Sequence, residues 1–217
     1  MLKQWIHQIR HNPEHYGTAF WKYQLSGQVL DLFIESPYHL DKASYRRGVV
    51  KTGMVLQALS ARFEENECSC LIQSFPSLED ARHVASIRVV KSKEKENDRH
   101  IESFKADSTA ISKINKMIEF ASENELKMLK VDESALPDNI IKSSESRSWY
   151  ALCSKYNNPF TWLKVGYWQE MAHQLFHLSG SEDNRLLMTD FPDSVEPKNL
   201  KGVGKHNVVH VLIAIPK

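Results

Sequence analysis

Set on a helix, the stretch from Phe160 to Gly180, "FTWLKVGYWQEMAHQLFHLSG", is apolar nearly all the way round. Leu163, Tyr167, Met171, Leu175 and Leu178 line one side, and Val165, Trp168, Ala172 and Phe176 widen it past half the circumference. Only Gly166, Gln169, Glu170, His173 and His177 leave a narrow polar stripe. A helix of this kind belongs in the middle of a core rather than on its surface. The pattern therefore predicts a central helix, begun by Asn158 and Pro159 and stopped at Gly180. Its polar stripe is expected to be hydrogen-bonded inside or to face a site.

A second buried helix is predicted over Ser44–Phe63, with charges confined to its ends and with Gly53 and Ser60 on one line that permits close helix packing. Before it, residues 2–11 read as a short helix with Trp5, Ile6 and Ile9 inward. "GTAFWKYQL" and "QVLDLFIES" follow as two alternating strands joined at Ser26-Gly27, with Trp21, Tyr23, Leu25 and then Leu30, Leu32, Ile34 on the apolar face. Cys68–Phe75 reads as a strand and "SLEDARHVASI" as a short helix. An amphipathic helix capped by Asp107 or Ser108 is predicted to bury Ile111, Ile114, Ile118 and Ala121. A strand follows at Leu126–Val131, and Trp149–Cys153 precedes the central helix. After the central helix, a polar segment from Ser181 to Asn207 leads to the strand "VVHVLIAIP". No internal repeat or low-complexity segment is evident. The charge-dense run "KSKEKENDRH", Lys91–His100, reads as a solvated loop between two lobes, 1–92 and 97–217, which can equally form one domain.

Composition narrows the function classes. The chain has 217 residues, 41% hydrophobic and 25% charged, which suffices for a real core. A net charge of +1 argues against nucleic acid as partner, because phosphate neutralisation needs a concentrated basic surface. No apolar run reaches the roughly 20 residues that span a bilayer, and "MLKQWIHQIRHNPEH" lacks the apolar segment of a signal peptide. Three cysteines, with two in a Cys-x-Cys pair, give no disulfide framework and point to a reducing cytoplasm.

Several groups could carry chemistry. Glu170, His173 and His177 share one helical face at spacings that suit a metal. A complete site needs further ligands, and Asp80 and His83 form the only similar pair, with nothing to show that they converge. The expectation is therefore a hydrogen-bonded stripe without a stoichiometric metal. Arg46, Arg47 and Lys51 open a helix where they can meet a phosphate or form a solvated basic turn. Trp21, Trp162 and Trp168 can stack on a planar ligand or fill the core. The histidines are scattered, and spacing reveals no Ser-His-Asp or Cys-His arrangement.

The order of these segments resembles the nitroreductase-like flavoproteins, especially their Acg-type branch. "GTAFWKYQLSGQVLDLFIES" is similar to the family's Asn-x-Gln-Pro-Trp hairpin, and "RRGVVKTGMVLQALSARF" to the apolar helix that follows it. "CLIQSFPSLEDARHVASI", "NDRHIESFKADSTAISKINKMIEFASENELKMLKV", the central helix and "HVLIAIPK" match later segments in the same order. The resemblance implies an α+β nitroreductase-like fold, with an antiparallel-rich sheet around two buried helices. It further implies an FMN-dependent oxidoreductase passing hydride from NAD(P)H to an electron-poor small molecule. It keeps Trp21 of the hairpin motif and Arg99 near the phosphate-binding run; if a flavin binds, Arg46, Arg47 or Lys51 must supply further charge, with Trp21 and the Gly166–Gln169 edge of the central helix against the ring. A homodimer burying aromatic surface is also expected. Departures favour an alternative, a flavin-poor relative that binds or sequesters a ligand. Gly17 and Ala19 stand where the family has ring-binding amides, Arg99 is out of register, and Asp98 and Glu102 flank it.

Overall fold

The computed structural model describes residues 2–90, 109–136, 147–177, 186–190, 200, 203–204 and 206–216. The protein is α+β: two four-stranded sheets, every strand pair antiparallel, and five α-helices among the described residues. The expected antiparallel strands are present, divided between two sheets. Two compact units form, one of residues 1–101 with 162–171, the other of 102–161 with 172–217. The middle of the central helix thus belongs with the first unit, where a contiguous division at 92–97 would put the whole helix in the second.

In the first unit α1 (Leu2–Arg10) buries Trp5, Ile6 and Ile9, as their spacing predicts, and Leu2 with them. A one-turn helix, α2 (Pro13–Tyr16), follows; it was not anticipated. β1 (Trp21–Ser26) and β2 (Val29–Ile34) pair from Trp21↔Ile34 to Ser26↔Val29. Two residues turn the hairpin, the first being Gly27 at φ +61°, a backbone that costs an L side chain about 1–2 kcal/mol. The fully buried Leu30, Leu32 and Ile34 face the long α3 (Lys42–Glu65), with Val49, Val55, Leu56, Leu59 and Phe63 in the same core. β3 (Ser69–Ser74) and β4 (His83–Val90) complete the sheet in the order β1-β2-β4-β3.

β4 corrects one expectation: "SLEDARHVASI" is not a helix. Ser77 Oγ accepts from the backbone N–H groups of Glu79 and Asp80, and Asp80 Oδ1 accepts from that of Arg82. These local bonds offer the backbone a turn in place of a helical ladder. From His83 onward the chain is captured between β2 and β3, with Val84, Ala85 and Ile87 buried.

In the second unit α4 (Ala110–Glu123) precedes β5 (Lys127–Val131), β6 (Arg147–Ser154), β7 (Leu187–Asp190) and β8 (Val208–Pro216), in the order β5-β6-β8-β7. The α4 cap is Thr109, whose Oγ1 accepts from Ser112 N; Asp107 and Ser108 lie outside the described residues. The buried side of α4 also differs from expectation. Ala121 is buried as predicted, but Ile111 and Ile118 are 71% and 41% exposed, while Met117 and even Lys113 are inside. The Lys113 ammonium lies 5.1 Å from the centre of the Phe176 ring, a contact a lysine can make while its stem covers apolar surface.

β8 is buried along almost its whole length, which is why its sequence is apolar on both faces rather than alternating, except for His210, whose Nε2 lies 2.8 Å from Ser154 Oγ. Its neighbour β7, only four residues long, sits in the segment expected to be simply polar. Burial pushes the Cys153 thiol on β6 up to about 12, so it behaves as an apolar filler. All three cysteines are free.

The central helix, α5 (Pro159–His177), begins where predicted. Asn158 Oδ1 accepts from both the backbone N–H and the hydroxyl of Thr161, and Pro159 takes the first position. Trp168 is fully buried and Leu175 nearly so. Gly180 lies outside the described residues. Within the first unit α3 and α5 cross at Gly53 and Gly166. A Cβ on Gly166 would stand 1.8 Å from Val50 O, and one on Gly53 2.2 Å from Leu163 O. Backbone of the two helices thus meets directly at Gly53, the close packing expected of that small residue.

Candidate functional site

The short α2 is an Asn-Pro start with a glycine stop compressed into one turn. Asn12 Oδ1 accepts from His15 N at 3.4 Å, Pro13 fits the first position, and Gly17, at φ +58°, closes the turn with its N–H on Pro13 O. Two side chains outside the helix hold its last carbonyls, which have no partner within so short a helix. Lys51 Nζ donates to His15 O at 2.6 Å, and Trp21 Nε1 donates to Tyr16 O at 2.8 Å. The Lys51 stem runs against Gly17, where a Cβ would stand 2.8 Å from Lys51 Cγ. The turn is thereby fixed on α3 and β1.

What this turn presents is a pair of donors aimed at α5. His15 Nε2 lies 2.6 Å from Glu170 Oε2, and the Tyr16 hydroxyl donates to Glu170 Oε1 at 2.9 Å. Glu170 is only 2% exposed. A carboxylate so far from water is costly unless both oxygens are satisfied, and here each has a partner. Burial, and then the charge of Glu170, push the Tyr16 phenol well above its ordinary range, so that it stays a neutral donor. His173 follows Glu170 by one turn of the same unbroken helix. The ligand atoms of His15, Glu170 and His173 all lie within 4.8 Å of one another.

His15 is the residue that sequence reasoning missed. The signal was present in Asn12-Pro13 and Gly17, which mark a one-turn helix. Nothing in a separation of 155 residues indicates that this turn meets Glu170. Asp80 and His83 enter other pairs. Two Arg82 nitrogens grip the Asp80 carboxylate at 2.8 and 2.9 Å, holding its pKa down at about 2. His83 Nε2 lies 3.1 Å from Asp31 Oδ1, and the same nitrogen lies 3.1 Å from Ser86 Oγ, which itself donates to Asp31. A serine relay needs carboxylate and nucleophile on opposite ring nitrogens. With both on Nε2 this trio on the first sheet is a polar knot, not a nucleophilic centre.

The residues that the resemblance assigns to a flavin are placed as follows. Trp21 is buried with its indole N–H engaged, and Lys51 braces α2. Arg47 lies over the Phe20 ring at 5.5 Å, and Arg46 is half-buried on the first turns of α3. Gly166 is closed over by the α3 backbone, and Gln169 is buried. Arg99 lies outside the described residues. Trp21 and Lys51 do converge, on α2. The Cβ side of Gly166 is filled by the Val50 backbone, and His177 is the last residue of α5. Among the described residues, the Trp21 indole N–H, the Lys51 ammonium and the Cβ side of Gly166 are all engaged by contacts within the protein.

All five tryptophans, residues 5, 21, 149, 162 and 168, are buried within the chain. Among the described residues no helix is long and apolar enough to cross a membrane. Set against known proteins, the chain matches no protein-family model and no curated protein.

Proposed function

We propose that this protein is a binding protein that works without flavin, and that its functional centre is Glu170 with His15, Tyr16 and His173. The observation that carries this reading is the use made of Trp21 and Lys51. Each donates to a carbonyl of α2, and together they hold His15 and Tyr16 against the buried carboxylate. A buried charged cluster seldom adds net stability over apolar packing of the same volume. Buried titratable groups of this kind gather at functional sites. In this reading the likeness to nitroreductase-like proteins lies in the order of elements and does not extend to hydride transfer. Three free thiols suit a reducing compartment such as the cytoplasm.

The visible absorption spectrum of the purified protein tests the proposal, followed by titration with FMN. The expected result is a colourless preparation whose addition leaves FMN fluorescence unchanged at micromolar concentration. A yellow protein carrying stoichiometric FMN, bleached by NADPH, would replace this reading with that of an active reductase.

A further inference from the structure

We propose that His15, Glu170 and His173 bind one divalent transition metal ion. This deepens the reading above by giving the Glu170 centre its ligand. It reverses the sequence-based expectation of a metal-free stripe, which rested on the lack of a converging third donor.

Four observations support the assignment. Two imidazoles and one carboxylate bring their ligand atoms within 4.8 Å of one another, a span one ion can close. Three such donors leave a coordination position for water or a ligand, the arrangement typical of open zinc sites and of the two-histidine, one-carboxylate iron centres. Glu170 and His173 sit at i and i+3 of a helix locked into the core, a spacing by which helices present metal ligands. Finally, Tyr16 donates to the carboxylate oxygen that His15 does not touch, as outer partners orient ligating carboxylates in built metal sites. The His15 side chain keeps 18% of its exposure, so the cluster has a side open to water. Nitrogen donors together with oxygen favour zinc, iron(II), cobalt, nickel or copper over magnesium and calcium, which prefer oxygen alone.

A second pair of histidines must be removed from the experiment. His7 and His11 are exposed one turn apart, their Nε2 atoms 3.0 Å apart, and can chelate a metal on the surface. Full-length protein carrying His7→Ala and His11→Ala is therefore titrated with zinc by calorimetry and with cobalt(II) by visible absorption. One equivalent of each is expected, with the d–d bands of a low-coordinate cobalt site, and no heat from magnesium. Tyr16→Phe is expected to weaken zinc about 10–100-fold as an outer-partner loss, and His15→Ala or His173→Ala to weaken it further. Should either alanine variant fail the circular-dichroism check for folding, X-ray absorption of the zinc-loaded parent decides. Two imidazoles with a carboxylate in the first shell support the site.

A first shell of water oxygens with one imidazole or none would overturn the inference, as would the absence of a cobalt spectrum. Zinc affinity undiminished in folded His15→Ala and His173→Ala would do the same. Stoichiometric FMN in the same preparation would overturn the flavin-free reading alone and leave the metal result standing.

Discussion

At the scale of single residues, the glycines divide by what surrounds them. Gly27 turns the first hairpin in open space, with nothing within 4 Å of where a Cβ would be. Gly166 has backbone there, Val50 O at 1.8 Å and Val50 C at 2.7 Å. No rotamer change relieves a clash with backbone, so an added methyl must push α3 and α5 apart. Gly27→Ala is expected to cost about 1–2 kcal/mol, for its positive φ alone. Gly166→Ala is expected to cost about 3 kcal/mol or more, the upper end of overpacking. Urea denaturation midpoints of the two variants give the comparison. A midpoint for Gly166→Ala no lower than that for Gly27→Ala would contradict the close crossing.

At the scale of elements, α5 carries the most. Its start was readable because Asn158 and Pro159 act locally: an amide oxygen three residues before the N–H it caps, and a ring with a preset φ. Its burial was readable because an apolar surface wider than half a helix can be covered only from several sides. Leu175→Ala is expected to lower stability by about 2–5 kcal/mol, through lost transfer energy and the cavity left behind. An unchanged urea midpoint in that variant would remove α5 from the core. Neighbouring α4 shows the limit of periodicity. Its sequence offers two apolar stripes, one through Ile111 and Ile118 and one through Met117 and Ala121. The choice fell to the stripe that lets Lys113 reach the Phe176 ring. That decision belongs to a partner 63 residues away.

At the scale of the whole molecule, the two sheets repeat one topology. Each is a strand pair, a helix of 24 or 19 residues, and a second strand pair, arranged first-second-fourth-third. No repeat of residues announces this, because a strand pairing is set by backbone bonds that many sequences can satisfy. The middle of the second such helix nevertheless completes the core of the first unit, with Trp162, Leu163 and Tyr167 against the α3 side. A fragment of residues 1–101 therefore lacks part of its own core. It is expected to show no cooperative thermal transition by circular dichroism and no dispersed amide spectrum. A fragment with a sharp melt would mean that the α5 residues add little to that unit.

What the sequence determined by itself was whatever acts over one or two turns of chain. That includes the α1 face, the Gly27 hairpin, the N-terminal cap of α5 and the largely apolar run of β8. That helices and strands both occur was legible from these, since apolar period and turn chemistry are local properties. Tertiary structure alone decided which segments meet. It drew His83–Val90 into a strand against a helical reading, because two neighbouring strands offered backbone bonds that a solitary helix could not match. It turned Trp21 and Lys51 from ligand-facing candidates into braces for α2. And it brought His15 to Glu170, a meeting specified by the packing of α2 on α3 and of α3 on α5, with no trace in the spacing of the residues themselves.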